Sequence, residues 1–158
     1  MKEREYSFKV ENVKKYIDCL IKLNFNIVSD SKQIRTIYKN NSNIMARITE
    51  NFYSSNKKEI VFDFKEDKLT KDELIERKES LPIIIDNVDT ALSVIDILGF
   101  KKTVSLHRQR KVFSKNDVIC EIDLYESPNE EFIVSIEGDN YKGVDKLYFQ
   151  LKELENEW

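Results

Sequence analysis

Glycine and proline are scarce in this chain, with three glycines and two prolines among 158 residues. Neither G-x-x-x-x-G-K-S/T nor G-x-G-x-x-G occurs, which excludes phosphate binding through a glycine-rich loop of either type. No linker or internal repeat divides the sequence, and its length suits one domain with its own core. We therefore expect a single domain over residues 1–158.

Histidine and cysteine are scarce as well. The one histidine, His107, and the two distant cysteines, Cys19 and Cys120, do not supply the four ligands of a structural zinc site. His107 alternates away from the neighbouring arginines, which argues against a Ser–His–Asp arrangement. Two cysteines without a partner motif are typical of a reduced protein, and we expect a cytoplasmic location.

Long apolar runs and an excess of basic residues are missing too. Runs such as 83–85 are far too short to cross a bilayer, and no apolar region follows the charged N-terminus. We expect neither a membrane partner nor a secretory signal. The net charge is −3 although 35% of residues are charged, so no duplex nucleic acid is expected as a partner.

Alternation of apolar and polar residues with period two is the main pattern present, and it predicts strands. The predicted strands are 2–10, 33–39, 43–50, 58–65, 74–86, 103–113, 117–125 and 131–138. Helical periodicity predicts a helix from Asn12, a second capped by Asp86 or Asn87 and closed at Gly99, and a third over 143–156. The predicted fold class is α+β, an eight-stranded antiparallel closed β-barrel with helices packed outside.

Charged residues occur on one face of almost every predicted strand, often two residues apart. They are Glu3, Glu5, Arg47, Asp63, Lys65, Arg77, Glu79, Arg108, Arg110, Glu121, Asp123 and Glu137. In an open sheet this face is ordinary solvated surface, whereas in a closed barrel it becomes the bore. Gathered cations would then repel one another unless a polyanion filled the space, and gathered carboxylates favour Mg²⁺ or Mn²⁺.

Short motifs along nearly the whole chain resemble the CYTH superfamily, the triphosphate tunnel group that includes class IV adenylate cyclases and thiamine triphosphatases. The matching segments are Glu3–Ser7 (E-x-E-x-K), Met45–Thr49 (L-R-x-R), Phe64–Lys65, Glu76–Glu79 (R-x-E), Leu98–Phe100 (L-G-F), Arg108–Phe113 (K-x-R), Ile122–Asp123 and Ser135–Glu137 (E-x-E). Arg108 replaces the lysine of its motif, and three further positions lose the charged residue of the pattern: Ser7 replaces a lysine, Thr49 an arginine and Ser135 a glutamate.

The resemblance implies a role for each inward charge. The implied substrate-binding residues are Arg47, Lys65, Arg77, Arg108 and Arg110, with Lys9 as a partial substitute for the lysine lost at Ser7. The implied metal ligands are Glu3, Glu5, Glu79, Asp123 and Glu137. The implied catalytic residues are Glu3, Glu5, Lys65 and Arg110. Asp63 and Glu121 face inward by alternation alone.

Two functions follow from the resemblance. One is an enzyme that uses Mg²⁺ or Mn²⁺ to act on a nucleoside triphosphate, thiamine triphosphate or tripolyphosphate, as a triphosphatase or an adenylate cyclase. The departures at Ser7, Thr49 and Ser135 favour the alternative, a catalytically impaired module that binds a nucleotide or polyphosphate. Either is expected as a monomer or a homodimer.

Overall fold

The computed structural model describes residues 2–66 and 74–156, and the side chains of residues 2, 3, 74–77 and 156 lie outside that description. Nine strands and three helices follow one another in this part of the chain. They are β1 Lys2–Val10, α1 Lys14–Lys22, β2 Asn26–Lys39, β3 Ile44–Tyr53, β4 Lys58–Glu66, β5 Leu74–Lys78, β6 Ile83–Ile85, α2 Val88–Ile97, β7 Lys101–Lys115, β8 Val118–Ser127, β9 Glu131–Gly138 and α3 Tyr141–Lys152, with a 3₁₀ turn at Glu153–Asn156.

All strands join one antiparallel sheet in the order β5-β1-β9-β8-β7-β2-β3-β4-β6. The predicted α+β class with an antiparallel sheet is confirmed, and the described sheet has nine strands because one of the eight predicted strands is divided. The segment 74–86, predicted as one strand, is divided into β5 and β6, which lie at opposite ends of the order. Pro82 stands between them, and because proline has no N–H group it interrupts a ladder of backbone hydrogen bonds.

The sheet is rolled so that its two ends approach each other. Lys65 of β4 forms an isolated antiparallel bridge with Glu79, which directly follows β5. The N–H group of Ser80 also donates to the carbonyl oxygen of Phe64 at 2.9 Å. Within the residues described, no continuous ladder joins these ends. Closure of the barrel by such a ladder therefore stays a prediction.

The apolar face of the rolled sheet is its outer face, and the helices cover it. Helices α1 and α3 pack on one half through residues such as Tyr16, Leu20 and Leu147. Helix α2 packs on the other half, where Ala91 and Ile95 contact side chains of β3 and β4. Burying one large apolar side chain stabilises a fold by roughly 1.5–3 kcal/mol, so this covering fixes which face of each strand points inward. None of the described helices is long and apolar enough to span a membrane.

Two of the predicted helix ends are confirmed. The Asn87 side chain accepts the N–H of Asp89 at the start of α2, and Gly99 follows its end with φ of +75°. The prediction for Asn12 is only partly right, because α1 begins one residue later, after Val13, while the Asn12 side chain accepts the N–H of Lys14.

Candidate functional site

Inside the rolled sheet lies a cavity of about 320 Å³, which we call the bore. Its charged lining comes from the polar faces of the strands and includes both signs. The cations are Arg35, Arg47, Lys65, Arg108 and Arg110, and the carboxylates are Glu5, Asp63, Glu79, Glu121, Asp123 and Glu137. The predicted inward face is therefore enclosed, and the interpretation as open solvated surface is wrong.

Arg47 is neutralised by carboxylates of the protein itself. It is 5% exposed, and its Nε and Nη2 atoms donate to the two oxygens of Asp63 at 2.8 and 2.6 Å. Nη2 also donates to Glu79. Burial alone would lower the pKa of Arg47, but Asp63 and Glu79 outweigh burial and raise it. Nearby, Lys65 contacts Glu5 at 3.1 Å and Glu79 at 3.9 Å.

Arg110 is neutralised in the same way on the other side of the bore. Its Nε and Nη2 atoms donate to the two oxygens of Asp123 at 2.7 and 2.8 Å, and Nη1 lies 2.8 Å from a Glu121 oxygen. Burial opposes the charge, yet Glu121 and Asp123 raise the pKa of Arg110. Burial would raise the pKa of Asp123, but Arg110 and then Arg108 hold it below its usual range.

Arg108 is held by neutral groups instead. Its Nε donates to the side-chain oxygen of Gln33 at 2.8 Å, and its Nη1 donates to the hydroxyl of Tyr125 at 2.7 Å. Asp123 is 3.7 Å from Nη1, too far for a hydrogen bond. The Nη2 atom is buried and has no hydrogen-bond partner among the residues that the structure describes. Burial first, and then Arg110, lower the pKa of Arg108.

Arg35 is a bore residue that sequence reasoning missed. It lies on β2, half-buried, and its Nε donates to the Thr49 hydroxyl at 2.9 Å. No ion pair of Arg35 is found in the described part of the chain. Burial, then Arg108, Arg47 and Arg110, hold its pKa well below its usual range. Alternation could have identified Arg35 as inward-facing, because it is two residues from Gln33 and Ile37 and side chains at that spacing on a strand share a face.

The predicted metal ligands whose side chains the structure describes contact cations of the protein or lie opposite each other in the sheet. Glu5 and Glu137 are direct partners in the β1–β9 ladder, but Glu5 also contacts Lys65, while Glu79 and Asp123 contact arginines. Over residues 2–66 and 74–156, no group of three or more His, Cys, Asp or Glu side chains is gathered around one point. The side chain of Glu3, the remaining predicted ligand, lies outside the described residues.

Four other positions singled out from the sequence lie at different places in the structure. Lys9 does not reach the bore: its side chain is 73% exposed and contacts Glu131 at 2.9 Å. Arg77 pairs with Glu3 through the backbone, but its side chain lies outside the described residues. Ser7 and Ser135, which depart from the CYTH pattern, face each other with their hydroxyl oxygens 3.2 Å apart.

The sequence matches no protein-family model, and no curated protein is similar to it. Solved structures do resemble it. The PH1012 protein of Pyrococcus horikoshii has a TM-score of 0.75 at 20% identity, over 96% of this chain and 88% of that one. The Hippeastrum protein HpAC1, a proposed adenylyl cyclase for which a dominant triphosphatase activity is described, has a TM-score of 0.68 at 15% identity, over 97% and 87%.

A proposed adenylate cyclase of Vibrio parahaemolyticus has a TM-score of 0.67 at 12% identity, over 95% of this chain and 86% of that one. At such low identities the likeness concerns the fold, and it agrees with the fold that the sequence motifs imply. This chain has a CYTH-like fold.

Proposed function

We propose that the bore binds a triphosphate-containing small molecule, namely a nucleoside triphosphate, thiamine triphosphate or tripolyphosphate. The observation that carries this proposal is the buried Nη2 atom of Arg108, which finds no hydrogen-bond partner among the described residues, in a cavity whose described lining has five cationic side chains beside six carboxylates. A buried N–H group without a partner is costly, and a phosphate oxygen is a strong acceptor for guanidinium donors. The similar fold of HpAC1, for which triphosphatase activity is described, supports the same ligand class.

We propose further that a bound triphosphate is hydrolysed, with an adenylate cyclase-like reaction as the other enzymatic outcome. Hydrolysis needs a held polyphosphate and an attacking water, whereas cyclisation also needs a pocket for the nucleoside. Arg47, Lys65 and Arg110 would stabilise the negative charge that develops on the phosphoryl oxygens. For the same reaction we propose Glu5 as a catalytic residue together with Glu3, and Arg77 as a further substrate contact.

Mg²⁺ or Mn²⁺ is the proposed cofactor, with Glu3, Glu5, Glu79, Asp123 and Glu137 as proposed ligands. Such an ion, when bound, supplies charge neutralisation at phosphate oxygens. In the present arrangement Glu5, Glu79 and Asp123 are counter-ions of Lys65, Arg47 and Arg110, so these carboxylates do not fit a metal site without rearrangement.

The second candidate is a binding module without turnover. Two observations favour it: the bore carboxylates neutralise bore cations, and a hydroxyl stands at Ser135 where the CYTH pattern has a metal-binding glutamate. A neutral hydroxyl is a weaker ligand for Mg²⁺ than a carboxylate. Such a module would sense a nucleotide or polyphosphate.

The decisive experiment measures turnover and binding with the same preparation. Tripolyphosphate, thiamine triphosphate, ATP and other nucleoside triphosphates are incubated with protein and Mg²⁺ or Mn²⁺, and released phosphate, pyrophosphate and cyclic nucleotide are measured. Calorimetry reports binding. Turnover supports the enzyme, binding without turnover supports the module, and the absence of both overturns the proposed ligand.

A matched pair of variants assigns the result to the bore. Arg108→Gln removes a bore cation and is expected to weaken binding. Lys111→Gln removes one charge from the same strand, but Lys111 contacts Asp30 outside the cavity, so binding should be unchanged. Equal affinities of the two variants would argue against the bore as the binding site.

A further inference from the structure

The bore cations fall into two classes according to what already neutralises them. Arg47, Lys65 and Arg110 each have at least one carboxylate oxygen within 3.1 Å. A ligand anion approaching these three must compete with carboxylates that are already in place. Their attraction for a further anion is reduced accordingly.

Arg35 and Arg108 form the second class. Neither has a carboxylate within hydrogen-bond distance in the regions that the structure describes, and both are anchored by neutral acceptors, Thr49 for Arg35 and Gln33 with Tyr125 for Arg108. Neutral acceptors fix the direction of a guanidinium group without cancelling its charge. Asp123 lies 3.7 Å from the Nη1 atom of Arg108 and offsets part of its charge, so within the described residues Arg35 and Arg108 are the bore cations that carboxylates neutralise least.

The two guanidinium groups lie on adjacent strands and line the same cavity. Arg108 of β7 pairs with Gln33 of β2, and Arg35 is the next residue along β2 that faces inward. Among the charged groups of the protein, Arg108 has the largest effect in lowering the pKa of Arg35, which agrees with their proximity. Arg108 is only 4% exposed, and no hydrogen-bond partner of its Nη2 atom is found over residues 2–66 and 74–156.

We propose that Arg35 and Arg108 together form an oxyanion site that holds one phosphoryl group of the ligand without a divalent metal ion. This proposal rests on the proposed triphosphate ligand and adds two elements to it. It assigns a binding role to Arg35, to which the CYTH resemblance gives none. It also states that the contact of Arg35 and Arg108 with the phosphoryl group does not depend on a metal ion.

The chemistry of the pair favours a tetrahedral oxyanion. Guanidinium groups present several N–H donors in a fixed plane and bind phosphate oxygens in bidentate fashion. Two such groups suit an anion with oxygens in several directions, as a phosphoryl group has. The group could be the end of a polyphosphate or free inorganic phosphate, and the experiment separates these sources by chain length.

Metal independence follows from where the carboxylates are. Binding at Arg35 and Arg108 does not require Asp123 or Glu121 to leave Arg110, nor Asp63 to leave Arg47. A chelator should therefore leave this contact intact, since no step of it uses a carboxylate ligand.

The test is calorimetric titration with phosphate, pyrophosphate and tripolyphosphate in excess EDTA. The wild-type protein is compared with Arg35→Gln and with the control Lys32→Gln, which removes one exposed charge from the same strand. We expect the wild type and the control to bind tripolyphosphate in EDTA, and Arg35→Gln to bind on the order of tenfold more weakly or worse. Tight binding of phosphate alone would assign the site to the free anion, and affinity that rises with chain length would assign it to a polyphosphate end.

Thermal unfolding without ligand provides a second readout that a purely structural role would not give. Because Arg35 is surrounded by like charges, neutralising it should leave the melting temperature unchanged or raise it, while ligand-induced stabilisation is lost. A lower melting temperature together with unchanged affinity would show that Arg35 is structural and would overturn the proposal.

Two further outcomes separate this proposal from the proposed function. If tripolyphosphate binds only when Mg²⁺ or Mn²⁺ is present, or binds Arg35→Gln as tightly as the wild type, the oxyanion site is wrong and the triphosphate ligand still stands. If no polyanion binds under any of these conditions, both are wrong.

Discussion

Glu5 of β1 and Lys65 of β4 form an ion pair of 3.1 Å, although their strands are second and eighth in the order of the sheet. Their side chains are only 12% and 9% exposed. The contact therefore joins the two ends of the rolled sheet through two largely buried side chains. The contribution of this contact to the free energy of unfolding can be measured.

Removal of one partner of this pair should be strongly destabilising. Glu5→Gln leaves Lys65 with the longer contact to Glu79 at 3.9 Å, and Lys65→Gln removes the 3.1 Å partner of Glu5, so we expect a loss of up to about 3–5 kcal/mol in the free energy of unfolding. The double variant should lose less than the sum of the two single losses. Urea denaturation of all four proteins measures this coupling.

The exposed pair of Lys58 and Glu50, 3.1 Å apart, provides the control for that cycle. Lys58→Gln should change the free energy of unfolding by less than about 1 kcal/mol, because solvent screens an exposed pair. If Lys65→Gln were as mild as Lys58→Gln, the two ends of the sheet would not be held together by this contact.

A second prediction concerns the first residues of β2 and the pH dependence of stability. Burial would raise the pKa of Asp30, but hydrogen bonds from Gln109 and Lys111 outweigh it and lower the pKa from its ordinary value of 3.8. A carboxyl group whose pKa is lowered by folding stabilises the protein above its unfolded pKa and loses this effect as the pH falls. Asp30→Asn should therefore be less stable than the wild type near pH 7, with the difference disappearing below about pH 4.

The expected size of that difference is below about 1 kcal/mol, because Asp30 is substantially exposed. Denaturant unfolding of both proteins at pH 7 and pH 3 measures it. Lys111→Gln should show a similar loss at pH 7, since it removes the other half of the contact. A difference that grew on acidification would have the wrong sign and would refute the assignment.

Strand β2, which carries Asp30, shows where prediction from the sequence is limited. Strands β1 and β9 were predicted with the bounds that they have, because one face of each is buried and the alternation is clean. The start of β2 was placed seven residues too late, at 33 instead of Asn26. Ile27 and Val28 are adjacent and both 62% exposed, so this part of β2 is held by hydrogen bonds to β7 without a burial pattern.

The bore could be predicted as a set of inward charges but not as a set of ion pairs. Alternation placed Arg47, Asp63 and Asp123 on the inner face, as found. It carries no information on which cation meets which carboxylate across the cavity, since those contacts depend on register and on the roll of the sheet. Arg35 was missed because apolar residues occur on both faces of β2, at Ile34, Ile37 and Tyr38, which hides the direction of the arginine between them.

A third prediction concerns metal binding at position 135, where the CYTH pattern has a glutamate and this chain has Ser135. Ser135→Glu would place a carboxylate beside Ser7 and two residues from Glu137, on the inner face that also carries Glu5. An added carboxylate increases the negative charge and the number of oxygen ligands, so Mn²⁺ affinity should rise by on the order of tenfold. Calorimetric titration of the ligand-free protein with Mn²⁺ measures it.

Thr103→Glu is the control, because it adds the same charge at an exposed position of β7. Its Mn²⁺ affinity should equal that of the wild type. If the Mn²⁺ affinity of both variants rose equally, the effect would be general electrostatic attraction. If neither gained, the β1–β9 face would not be a metal site, and the proposed ligand set would have to be abandoned.

The last prediction uses a buried thiol to measure ligand binding through stability. Cys120 is fully buried, and burial raises its pKa well above the usual range, so the reactive thiolate should form only when the protein opens. A ligand that binds only the folded state lowers the open population by the factor 1 + [L]/Kd. In a Cys19→Ala background, tripolyphosphate at about one hundred times its Kd should slow thiol labelling of Cys120 roughly one hundredfold. Labelling that is fast and unaffected by ligand would mean that the reagent reaches Cys120 through local motion. In that case, ligand binding in the bore would not stabilise the apolar face of β8, where Cys120 is buried.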